Sequence, residues 1–274
     1  MLRTGQLRAD VVLEPLWNQW YAWSYLIPPA CAARYVAHSH LPVMQSFVDA
    51  PQVHVDALRD PAMIGGPFIQ YGIERAQEVA ALLERTRRDQ RHLLALDNAI
   101  TALEAALEAH PRGASLEPLY AELPPALGGM VELVYDARDR PSIRFIEALF
   151  YRSDFYRSTA QSIALRRVPD VDQRAFVMST PRLEADLECH LPLSFADPRL
   201  DDLCRLRTRS GNIGELAEAL ELNRTQREAF AALFVEGRDA EPSRPHGNEV
   251  RVRYLGHACV LVESADVAVL VDPL

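Results

Sequence analysis

Lysine is absent from this 274-residue chain; all 29 of its basic side chains are arginine. That excludes a phosphate-loop lysine, a Schiff-base lysine and a kinase-type lysine from this stretch. A GC-rich coding sequence would produce such a bias, and the chemical exclusion holds whatever its cause. Cysteine is scarce as well. Cys31, Cys189, Cys204 and Cys259 are scattered with no C-x-x-C spacing, as expected for buried thiols in a reducing cytoplasm rather than zinc ligands or disulfides. No segment approaches the roughly 20 apolar residues of a membrane span, and the opening Met1–Gly5 lacks the apolar core of a signal peptide. A cytoplasmic protein that does not engage a membrane is expected. The net charge of −9 argues against a nucleic-acid backbone binder, which needs surplus cations. Neither a Gly-x-Ser-x-Gly elbow nor a glycine-rich dinucleotide loop is present.

What is present is ample core material, 49% of the residues, enough for one large domain or two ordinary ones. Trp17, Trp20 and Trp23 recur every third residue, which predicts one side of a helical segment. They would form an aromatic core, a subunit interface or the lining of a ligand channel. Pro28-Pro29 should end that segment, and Ala30 to His40 reads as a second helix stopped before Pro42. From Glu74 to His110 leucine and isoleucine recur at three- and four-residue steps, predicting a long helix closed by Pro111-Arg112-Gly113. Such a helix could cross the domain or form a dimer seam, and a homodimer is expected.

Val131–Tyr135 and Ile143–Phe150 flank a polar loop and read as a β-hairpin. Residues 175–178 and 187–193 are expected to extend its sheet. Short helices are expected over 198–207 and 214–222, and over 225–234 with Glu228 in a capping box. Residues 236–248 are polar and breaker-rich, as an interdomain linker would be.

Side chains with chemical potential are few. His38-Ser39-His40 could present two imidazoles to a metal, but no aspartate follows, and histidines at a helix end also cap carbonyls. His54 and His190 lie in strand-like contexts with no carboxylate nearby. Glu184, Asp186 and Glu188 alternate, so a strand would place them on one face. Up to residue 247 no catalytic constellation emerges, and no metal ligand or catalytic residue is assigned.

The last stretch differs. Val252–Glu263 and Val267–Val271 are two strand-like apolar runs joined by Ser264-Ala265-Asp266, and the second ends in Asp272-Pro273. Two such strands cannot fold alone, so we read the chain as the front portion of a longer protein, cut just inside a new domain. Gly256-His257-Ala258 followed by Val271-Asp272-Pro273 resembles the opening of the metallo-β-lactamase fold. The resemblance implies that His257 and Asp272 lie beside the metal site as supporting groups rather than ligands. The family's His-x-His-x-Asp-His ligand motif would follow.

Leu13-Glu14-Pro15-Leu16, Asn18–Trp23, Pro51–His54, Gly65-Gly66 and Leu191–Phe195 resemble the N-terminal domain of the diiron β-hydroxylases related to the chloramphenicol-pathway enzyme. The implied fold is α+β. A mixed α/β N-terminal domain (1–235) would be followed by a linker (236–248) and the first two strands of an αββα metallo-β-lactamase domain (249–274). The implied activity is hydroxylation of an aminoacyl group on the carrier protein of a peptide synthetase, by two iron ions held downstream. Zinc would mark a hydrolase instead, and a non-catalytic interaction module is the third reading. Carrier proteins are acidic, so Arg87, Arg88, Arg91, Arg166 and Arg167 are candidate contacts.

Overall fold

The computed structural model describes residues 4–23, 26–168, 174–237, 245–256 and 259–272. The chain divides into two compact units, 10–200 and 1–9 with 201–274. Strand β1 (Thr4–Leu7) belongs to the latter.

The larger unit opens with a hairpin where a helix was expected. β2 (Val11–Trp17) and β3 (Trp20–Tyr21) pair antiparallel, with Trp17 opposite Trp20. Asn18 and Gln19 between them have φ of 48° and 67°, the doubly left-handed geometry of a two-residue hairpin turn. The tryptophan spacing therefore reflects a turn, not a helical period.

α1 (Pro29–Tyr35) runs through a π-helical turn, Val36–His40, into α2 (Leu41–Asp49). Pro42 was expected to stop the helix. Instead the Leu41 N–H bonds the Val36 carbonyl five residues back, and this widened turn carries the helix past a residue that has no N–H to give. α3 (Pro51–Ala57) follows.

The expected long helix is two, α4 (Ala76–Asp89) and α5 (Arg91–Ala109), separated at Gln90. Their apolar faces, including Val79, Leu82, Leu96, Ile100 and Leu103, are buried in the core with Phe47, Met44 and Trp20.

β4 (Val131–Tyr135) and β5 (Pro141–Phe145) form the expected hairpin, with the Asp136 carboxylate accepting from the N–H groups of Arg138 and Arg140. The run after Phe145 turns into α6 (Glu147–Phe150) rather than continuing as strand. Beyond the expected elements, β6 (Gln161–Arg167) pairs with β2 along seven positions. β7 (Cys189–Leu191) joins β6, giving the order β3-β2-β6-β7. Residues 187–193 thus belong to this sheet and not to the β4–β5 hairpin. Residues 177–179 form a turn.

α7 (Arg199–Arg205) leads into β8 (Gly211–Asn212), α8 (Ile213–Ala219), α9 (Arg224–Ala231) and β9 (Phe234–Val235). β1 lies between β8 and β9. Only glycine fits at Gly5, where a Cβ would stand 2.9 Å from the Val235 carbonyl oxygen. The capping box of α9 is set by Asn223 and Gln226 rather than Thr225 and Glu228. Asn223→Ala is expected to cost about 1 kcal/mol, read as a small fall in thermal midpoint by calorimetry.

The terminal segment corrects the expected strand count. The run 252–263 is two antiparallel strands, β10 (Arg251–Gly256) and β11 (Cys259–Glu263), and β12 (Ala268–Val271) pairs with β11. Val252, Tyr254, Val269 and Val271 are at least half exposed. Among the described residues, no helix is long and apolar enough to cross a membrane.

Candidate functional site

A cleft of about 620 Å³ lies beside the β2–β3 turn of the 10–200 unit. Its floor begins with that turn. The Asn18 amide donates to Thr86 Oγ1 (2.9 Å), and Thr86 Oγ1 donates to the Leu82 carbonyl, so the turn is tied to the last turns of α4. Gln19 Nε2 donates to Glu184 Oε1 at 2.6 Å, while Glu184 Oε2 lies 3.3 Å from His190 Nδ1. The Gln19 oxygen is left buried with no hydrogen-bond partner, and so is Gln90 Oε1. These two side chains are only 8% and 5% exposed.

The rim is arginine. Arg85, Arg88, Arg91 and Arg157 line the cleft against two carboxylates, Asp89 and Glu184. Arg88 is paired with its neighbour Asp89 at 2.8 Å, and this guanidinium holds the Asp89 carboxyl below its ordinary pKa. Arg157 spends only Nε, on the Asp154 carbonyl at 3.3 Å. The His92 imidazole in the first turn of α5 is lowered in pKa by burial first and by the Arg157 charge next. The cleft is therefore locally cationic in a chain of net charge −9.

The structure separates the histidines that the sequence placed together. His38 is exposed and lies 3.0 Å from Asp97, a carboxylate it shares with Arg34. His40 is buried and stacks on Trp20, ring centroids 3.9 Å apart. Residues two apart on a helical turn point away from each other, so the pair does not converge on a metal. His54 lies on α3, not a strand. Its Nδ1 accepts from the Ile69 N–H at 2.9 Å and its Nε2 lies 3.1 Å from Ser46 Oγ, with Phe47 and Phe68 edge-on. It is a structural anchor. His190, expected to lack a carboxylate, has Glu184.

Glu184, Asp186 and Glu188 do not share a strand face, because 184–186 is a 3₁₀ turn. Glu184 holds Gln19, Asp186 holds Tyr71 and Arg75, and Glu188 holds Arg167. Arg87 is engaged by Glu84 and Gln45. Of the five arginines expected to face a carrier protein, Arg88 and Arg91 line the cleft; Arg85 and Arg157 were missed. Nothing local marks those two, since they meet only through the packing of α4 and α5 with the segment before β6.

Asp272 follows β12, is exposed, and has φ of 48°. His257 lies outside the described residues. Among the described residues, no group of three or more histidine, cysteine, aspartate or glutamate side chains is placed to hold a metal. The described residues therefore do not supply the ligands of a diiron centre.

Residues 6–237 match the family described as the diiron non-heme β-hydroxylase N-terminal domain. The chain is 34% identical, over 98% of its length, to the 4-amino-L-phenylalanyl-(CmlP-peptidyl-carrier-protein) 3-hydroxylase of Streptomyces venezuelae, of which it covers 51%. Two solved structures resemble it. One is CmlA, a diiron β-hydroxylase from Streptomyces venezuelae, with TM-score 0.80, 33% identity, all of this chain and 51% of that one. The other is the E377D mutant of CmlA β-hydroxylase, with TM-score 0.79, 34% identity, 99% of this chain and 51% of that one. The chain thus spans about half the length of the relatives it matches. On the family match and the relationship to these proteins, the chain belongs to the diiron non-heme β-hydroxylase N-terminal domain family.

Proposed function

We propose that this chain is the N-terminal portion of a diiron oxygenase that hydroxylates an aminoacyl group while it is tethered to a carrier protein. The observation that carries the reading is the relationship to the carrier-protein hydroxylase along nearly the whole of this chain. In this reading residues 1–235 serve docking and subunit association, here as a homodimer. Residues 236–248 link them to a catalytic domain of metallo-β-lactamase fold. The β10–β12 sheet supplies that domain's opening strands. The broad exposure of its valines supports this assignment, because such side chains belong under a covering layer. His257 and Asp272 would support the metal site from outside the ligand shell.

The coding sequence following the Leu274 codon tests the reading. An in-frame His-x-His-x-Asp motif with further histidines and an enriched set of carboxylates is the expected result, since carboxylates favour iron over zinc. A histidine-rich set would indicate a hydrolase, and the absence of any such motif would overturn the enzyme reading.

A further inference from the structure

The sheet β8-β1-β9 takes its central strand from a distant part of the chain. β8 and β9 are two residues each and, among the described residues, pair only with β1, which precedes the whole 10–200 unit in sequence. Strands that short have no ladder of their own, so the sheet exists only while β1 is in place. β1 and the residue after it also reach past the sheet. The Leu7 N–H donates to the Leu206 carbonyl at 2.7 Å and the Arg8 N–H to the Leu233 carbonyl at 3.0 Å, while Gln6 Nε2 donates to the Arg207 carbonyl at 2.8 Å. These acceptors lie just after α7 and just after α9, so one strand ties the first helix of the 201–237 segment to its last.

Glycines let β1 fit this closely. Gly5 faces Gly211 across the β1–β8 pair, and a Cβ on Gly5 would stand 2.7 Å from Ile213 Cδ1. Gly237 approaches β1 from β9, where a Cβ would run into Gln6 Cβ and lie 3.1 Å from the Gln6 nitrogen. The chain leaves β9 through Gly237, so the backbone of β1 touches the exit itself. The segment has its own core as well. Leu203, Leu206, Ile213, Leu216, Phe230 and Leu233 are buried, and none of them belongs to the hydrophobic cluster of the 10–200 unit.

We propose that β1 is a detachable clasp. Inserted, it closes residues 201–237 into one folded element and pins the chain at Gly237. Withdrawn, it lets that element open while the 10–200 unit stays folded. In the domain reading above, Gly237 stands at the start of the linker, so withdrawal lengthens the tether to the catalytic domain. That consequence rests on the domain reading; the clasp does not.

Hydrogen exchange of the whole chain, read by mass spectrometry, tests it. The measurement needs neither iron nor carrier protein, so failure of the clasp and failure of the oxygenase reading are separate results. In the unaltered protein under sub-denaturing urea, amides of residues 4–8 and 201–235 are expected to open together, at a lower free energy than those of β2, β6 and α5. Gly5→Val overfills the contact with Ile213 and should speed exchange across 201–235 at least about tenfold. Protection of β2, β6 and α5 should be unchanged in that variant, as should tryptophan fluorescence, since all three tryptophans lie in the 10–200 unit. Residues 201–235 that stay protected in Gly5→Val, or that open apart from residues 4–8 in the unaltered protein, would overturn the clasp. So would loss of protection in the 10–200 unit alongside them, because the two units would then open as one.

Discussion

Glu14→Gln is expected to destabilise the 10–200 unit by about 3–5 kcal/mol. Glu14 lies mid-strand in β2, 3% exposed, facing Arg182, which is 2% exposed. Arg182 grips the carboxylate bidentately through its Nε–Nη2 edge, Nε to Oε2 at 3.1 Å and Nη2 to Oε1 at 2.9 Å, and Arg174 adds a bond at 2.8 Å. Arg182 also donates to the Ala175 carbonyl, and its backbone N–H to the Gln19 carbonyl. A glutamine turns an NH₂ toward a guanidinium and leaves a buried charge uncompensated. The loss is readable in urea unfolding followed by tryptophan fluorescence, because all three tryptophans lie in this unit. The Glu14→Leu/Arg182→Met double variant should lose less than Glu14→Gln, since removing both charges removes the desolvation cost as well. A single-variant loss under about 1 kcal/mol would mean that the pair behaves as a hydrated surface bridge.

Acid should weaken the same unit through His40. Burial against Trp20 lowers its pKa from 6.5 to about 3. The unfolded chain takes up a proton below pH 6.5 and the folded chain does not until about pH 3. The stability this neutral imidazole contributes is therefore complete above pH 6.5 and is lost as pH falls toward 3, by about 1.4 kcal/mol per pH unit across that window. His40→Phe keeps an aromatic ring on Trp20 and removes the titration. Comparing the two proteins cancels the contributions of His54 and His92, whose pKa values burial also lowers. The native protein should lose stability faster than His40→Phe between pH 6.5 and 5, and parallel profiles would show His40 protonating freely in the fold.

Much of the architecture is legible in local pattern, and the exceptions have physical causes. The β4–β5 hairpin, the helices over 199–205 and 213–219, and the end of α5 before Pro111 follow from alternation, periodicity and breakers. The tryptophan triad misleads because a two-residue turn between strands reproduces a three-residue interval, and Gln19 at φ 67° is not a residue whose type announces a left-handed conformation. Pro42 misleads because a π turn absorbs its missing donor. β6 escapes notice because Gln161, Ser162 and Ala164 dilute the strand signal, and it is pairing with β2 that defines it.

The cleft was partly legible, through Arg88 and Arg91. Its remaining parts come from segments far apart in sequence, and no spacing rule joins Gln19, Arg85 and Arg157. The family relationship, by contrast, was visible in short blocks such as Asn18–Trp23, which the fold uses to build the turn at the floor of the cleft.

Oxygenation of a carrier-bound aminoacyl group is the activity we propose. Its most direct test is mass spectrometry of an aminoacyl-loaded carrier protein after incubation with iron, reductant, dioxygen and the protein expressed from the complete reading frame. A gain of one oxygen atom on the aminoacyl group, with the thioester intact, is the expected result. Release of the unmodified amino acid from the arm would contradict it and identify a hydrolase.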